Sequence, residues 1–259
     1  MTGPDYRIDG FAPASDRVAD DFDVATLFDD MYTPLAAHHT ADGQSFLLFY
    51  DRSAIWDNVP GTAEYVGMHF ERDLDERTFC FDVTRQPTVP LAQNWLITRG
   101  CPPEEIEPDA AFGPRPADAL TTRLEDRLRT NPNSRYTLLD HYTHNPGRFD
   151  EGAEVRVIVH DAHPDAADRP YRLFLEETTP SFAAYTVREG AFSTAEDADT
   201  WVQERNGPLP LAPQGDLARR AAAARSRTTA SATPGPATAA PGPAPAAAPG
   251  AARSRGGRS

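Results

Sequence analysis

The chain has 259 residues, no Lys, and a charge divided by position: up to Leu217 it carries 18 Arg against 39 Asp and Glu, a formal −21, whereas the last 42 residues carry seven Arg and no acid. The missing amine excludes Schiff-base nucleophiles, a pyridoxal phosphate anchor, a Ser-Lys dyad and the phosphate-reading Lys of a P-loop or kinase, and no dinucleotide-type glycine pattern replaces it. Arg in place of Lys, with abundant Ala, Pro, Asp and Gly, is the usage of a GC-rich bacterial genome.

From Met1 to Asp20 the chain is interrupted throughout by Asp, Pro and Gly, which argues against a secretion signal. Val18 and Phe22, then Val24, Leu27, Phe28 and Met31, recur at helical spacing and predict a helix near Asp23 to Tyr32, stopped by Thr33-Pro34. His38-His39 then reads as a solvated loop. Phe46 to Tyr50, after the turn signal Asp42-Gly43, has the form of a buried central strand. It is also the longest strongly apolar run, far short of the ~20 residues of a spanning helix, so a soluble cytoplasmic protein without a membrane partner is expected.

Val66, Met68 and Phe70, then Phe79, Phe81 and Val83, alternate with polar neighbours across an acidic connection and predict a hairpin. Leu91, Ala92, Trp95 and Leu96 share one face of a helix over Val89 to Arg99 that ends at Gly100. A second helix, Ala117 to Thr130, carries the stripe Leu120, Leu124, Leu128. Four strand-like segments follow, Tyr136 to Tyr142, Glu154 to His160, Tyr171 to Glu176 and Phe182 to Arg188. Ser193 and Glu196 form a capping box ahead of Ala198, Trp201 and Val202.

The sum is an α+β fold: antiparallel β-meanders with helices packed on one face. The expected units are an N-terminal module, residues 1–131, a meander-plus-helix module, residues 132–217, able to join it in one domain, and a tail, residues 218–259. That tail has 16 Ala and 6 Pro but no aromatic, Leu, Ile or Val, and is expected to be disordered. Both halves run from strands into a Trp-bearing helix, and Phe81-Asp82-Val83-Thr84-Arg85 with Trp95 echoes Tyr185-Thr186-Val187-Arg188 with Trp201. Duplication explains the echo, but strand-to-helix joins also converge on such patterns, and convergence is the preferred explanation.

The one ligand-like spacing is His141-x-x-His144 and His160-x-x-His163, flanked by Asp140 and Asp161. Imidazoles with carboxylates suit zinc or another divalent metal, although structural zinc sites usually add thiolates and residues three apart on a strand face opposite ways. Cys80 and Cys101 lack the spacing of a knuckle or redox pair and are expected to pack. A Cys80, His69, Asp82 arrangement needs one particular hairpin register. Glu104-Glu105 and Glu176-Glu177 are adjacent, so an acid and base pair requires carboxylates from distant segments. Trp95 and Trp201 read as core.

The expected function is an acidic cytoplasmic interaction or accessory protein without catalytic activity, engaging a protein partner. No cofactor is expected, catalytic residues are unassigned, and nucleic acid is met at most weakly, through the tail's Arg, because the −21 body repels a duplex. The alternative is a metal-dependent hydrolase on His141, His144, His160 and His163.

Overall fold

Seven elements occur twice in the same order. In the computed structural model, which describes residues 4–55, 61–109, 113–146 and 152–212, the first set is β1 (Ala12–Pro13), α1 (Asp16–Ala25), β2 (Tyr32–His39), β3 (Gln44–Asp51), β4 (Tyr65–Asp73), β5 (Thr78–Gln86) and α2 (Val89–Ile97). The second is β6 (Arg115–Pro116), α3 (Ala119–Thr130), β7 (Tyr136–His144), β8 (Glu154–Asp161), β9 (Tyr171–Thr178), β10 (Ala184–Phe192) and α4 (Ala195–Glu204). The sheets have the orders β1-β5-β4-β3-β2 and β6-β10-β9-β8-β7, antiparallel except for the two-residue first strand of each. Both belong to one compact unit that ends at Pro213, and the Ala/Pro/Arg-rich tail lies outside the described residues.

The registers correspond residue by residue. Phe70 faces Phe81 as Glu176 faces Val187, and Arg72 faces Phe79 as Thr178 faces Tyr185. The edge strands β2 and β7 carry a bulge at matching places, between Pro34 and Ala36 and between Leu138 and Asp140. So regular a match extends far beyond one strand-to-helix join, and the echo between the halves is a repeat of the whole module.

The fold is α+β with antiparallel meanders, and helices cover both faces of each sheet, one face more than the sequence pattern suggested. On the first sheet Tyr6, Phe70 and Phe79 meet Phe22 of α1, while Phe46 and Leu48 meet Ala92 and Leu96 of α2. On the second, Val157, Phe174 and Val187 meet Leu124 and Leu128 of α3, while Ile158, Leu173 and Phe192 meet Ala198 and Val202 of α4. Each fully buried Phe or Leu contributes roughly 1.5–3 kcal/mol. α2 and α3 also pack on one another and form the layer between the sheets. The second repeat therefore opens at Arg115, and α3, grouped by the sequence reading with residues 1–131, packs on the sheet of the second repeat.

Three boundaries differ from expectation for local reasons. Ser15 caps α1 by accepting from the Val18 amide, so the helix ends at Ala25 rather than starting near Asp23. Val24, Leu27 and Phe28, read as its inner stripe, are exposed. Tyr32 to His39 is a strand, not a helix end and loop, because Pro34 lies on the sheet edge where a missing N–H removes no ladder bond. The α4 cap is Thr194, accepting from the Asp197 amide, one residue beyond Ser193.

Candidate functional site

A cavity of about 850 Å³ opens between the two sheets beside the α2–α3 layer. Its wall on the first sheet includes Leu35, Tyr50 and Tyr65; α2 supplies Val89 and Gln93; α3 supplies Glu125 and Arg129; and the second sheet supplies Thr143, Val155, Glu176 and Tyr185. Strand alternation explains the selection. Tyr50 and Tyr65 are cross-strand neighbours, as are Val155 and Glu176, and each pair projects from the face that looks toward the other sheet.

Three carboxyl groups dominate. Glu64, ahead of β4, is 7% exposed and accepts from Asn145 Nδ2 at 3.2 Å. Glu125 of α3 accepts from the Tyr185 hydroxyl. Glu176 of β9 lines the same cavity. Burial pushes all three above the usual carboxylate range. For Glu176 the charges of Glu125 and Glu64 add to burial and bring it to about 8, whereas hydrogen bonds from Asn145 and Tyr50 hold Glu64 back and the Tyr185 bond holds Glu125 back. Among the described residues none of the three is in an ion pair, while Arg129 at the rim is bound to Glu107 at 2.8 Å and Asp126 at 2.9 Å. Thr143, 7% exposed, lines the same cavity, and its hydroxyl has no hydrogen-bond partner among the described residues.

The paired histidines do not assemble. His141 stands opposite Val157 and His160 opposite Thr137, three positions apart along β8, on the order of 10 Å. His144 is exposed opposite Glu154. His160 lies edge-on to Tyr171 at 5.6 Å, and His163 accepts the Asp165 amide at 3.2 Å in a short turn. Asp161 is fully engaged by Arg135, at 2.7 Å through both oxygens, and by Arg172 at 3.1 Å. Among the described residues no group of three His, Cys, Asp or Glu is placed to hold a metal ion.

The hairpin register does place His69 opposite Asp82 and Cys80 opposite Glu71. His69 nonetheless bonds Gln44 at 3.2 Å and stacks on Phe46 at 4.6 Å, while Asp82 pairs with Arg99 at 3.4 Å. Burial lowers the His69 pKa. Cys80 is exposed, and Cys101 is buried with its thiol pushed up to about 12, mainly by burial. Trp95 and Trp201 pack against the core clusters under α2 and α4.

Of the acid pairs read from sequence, only Glu176 contributes to the cavity, and its partners come from distant segments, Glu64 and Glu125. Neither was singled out, since Glu125 adjoins the Leu stripe of α3 and Glu64 precedes a strand. The available signal was the repeat itself: aligned by register, Glu176 takes the place of Phe70. No protein-family profile, curated protein or solved structure matches the chain.

Proposed function

We propose that this chain is a non-catalytic binding or accessory protein of the cytoplasm that takes a cationic group of its partner into the acidic cavity. The observation that carries the reading is the set Glu64, Glu125 and Glu176, three carboxyl groups around one cavity that form no ion pair among the described residues, although Arg115 and Arg129 also line it and the charge of Arg129 acts on Glu125. Buried carboxylates that share a space repel one another, and an incoming ammonium or guanidinium relieves that repulsion while gaining charge-assisted hydrogen bonds. Tyr50, Tyr65 and Tyr185 add ring faces to which a cation is attracted. The described lining offers six carboxyl groups against the two guanidinium groups of Arg115 and Arg129, with hydroxyl and amide groups but no His, Cys or Ser.

Calorimetric titration of the full chain with butylamine and benzamidine, against butanol as the neutral control, tests the reading. Both cations are expected to bind at low millimolar or better affinity, and the double variant Glu125→Gln, Glu176→Gln to lose them. Equal heats from amine and alcohol would remove it.

A further inference from the structure

We infer that the cavity's ligand is a linear aliphatic polyamine, a chain of ammonium groups separated by methylenes that spans from Glu64 to Glu125 and Glu176. The inference rests on the cation-binding reading and adds the ligand class.

Size is the first argument. About 850 Å³ is the volume of a site for a small organic molecule, well beyond a bare metal ion or one ammonium group. The distribution of acid is the second. Glu64, ahead of β4, is held by Asn145 at 3.2 Å, whereas Glu125 of α3 is held by the Tyr185 hydroxyl of β10, so the acid is anchored on different elements at two centres rather than one. A monoamine or a single side chain of a protein partner reaches one centre and leaves the other buried and unpaired, which is costly. A flexible dication or trication reaches both.

The wall is the third argument. Leu35, Val89 and Val155, with the rings of Tyr50 and Tyr65, supply apolar surface that matches methylene spacers. Thr143 is independent of the acids. Its side chain lines the cavity and its hydroxyl is buried with no partner among the described residues, an unmet hydrogen bond that a ligand N–H would complete.

The experiment is calorimetry on the full chain at constant ionic strength with spermidine, putrescine, butylamine and benzamidine, at pH 6 and pH 9. Spermidine is expected to bind at least about tenfold more tightly than butylamine, since each added charged hydrogen bond of about 1.5 kcal/mol is worth about a factor of ten. Affinity should rise from pH 6 to pH 9, with protons released on binding as Glu176 ionises. Glu176→Gln should weaken spermidine about tenfold, and the nearly isosteric Thr143→Val, which keeps all acids, about threefold or more. Asp20→Asn with Asp23→Asn on exposed α1 should leave it unchanged. Benzamidine or butylamine binding as tightly as spermidine would overturn the polyamine while keeping a cation site. An equal loss with the α1 variant would reduce binding to surface attraction, and no binding by any amine would overturn both readings.

Discussion

Phe22, Phe70 and Phe79 close the face of the first sheet under α1, with ring centroids 5.5 Å (Phe22–Phe79) and 6.1 Å (Phe22–Phe70) apart. Glu125, Glu176 and Tyr185 occupy the corresponding places in the second repeat: Glu176 and Tyr185 by strand register, and Glu125 by counting seven residues from each helix cap, Ser15 to Phe22 and Asp118 to Glu125. The same contacts recur with different chemistry, ring on ring in one and a hydroxyl donating to a carboxylate in the other. Closure differs too. Tyr6, six residues before β1, packs on Phe22 and Phe70, whereas Asp109, six before β6, lines the cavity. Strand period decides which positions face inward; it leaves open whether those positions are filled or hollow.

The harshest way to break this comparison is to move the acid to the other repeat. Phe70→Glu places an unpaired carboxyl at a fully buried site and should destabilise by at least about 4 kcal/mol, or unfold the chain, in urea denaturation. The opposite exchange should help. Glu176 has a folded pKa of about 8 against 4.5 when exposed, so the folded state holds the extra proton between those limits and stability falls as pH rises through the window. Glu176→Gln removes that loss. It should raise the melting temperature above pH 8, by a ΔΔG on the order of a few kcal/mol, and change little below pH 4.5. A wild-type excess in stability at pH 9 would contradict the hollow-site account.

A second matched pair sharpens the comparison. Asp51 and Asp161 end β3 and β8 at corresponding places, opposite Tyr32 and Tyr136. Among the described residues Asp51 forms an ion pair with half-exposed Arg85 alone, while Asp161 binds Arg135 and Arg172, the latter 3% exposed. Asp161→Ala should cost about 3–5 kcal/mol, since it strands a buried guanidinium, and Asp51→Ala about 2 kcal/mol, because Arg85 can return to water. Burial opposes ionisation of Asp161, but Arg135, the His163 amide and Arg172 outweigh it and leave the pKa below the ordinary value. Its stabilising effect is therefore present above the usual Asp range and lost as pH falls through the lowered pKa. The smallest difference is at the caps: Ser15→Ala should cost about 1 kcal/mol or less, and Asp118→Ala more, because Asp118 also binds Arg188 at 2.6 Å.

Periodicity made most elements legible. Val66, Met68 and Phe70 alternate and are all fully buried, and the Leu124, Leu128 stripe is the inner face of α3. Tyr32 to His39 was hidden because Pro34 reads as a breaker, and only its place at the sheet edge makes it harmless. The two-residue strands β1 and β6 are too short to show any period. The cavity was hidden for a different reason. Glu64, Glu125 and Glu176 are ordinary polar residues in their own windows, and only the packing of α3 between two sheets brings them together. The histidine pairs had the more conspicuous spacing, but strand geometry separates them.

The central claim, that Glu176 stands in a cavity among carboxyl groups that form no ion pair among the described residues, is most directly tested by following its side-chain carboxyl carbon through a pH titration by NMR. A midpoint near 8 that drops when spermidine is added is the predicted result. A midpoint near 4.5, unmoved by spermidine, would contradict it.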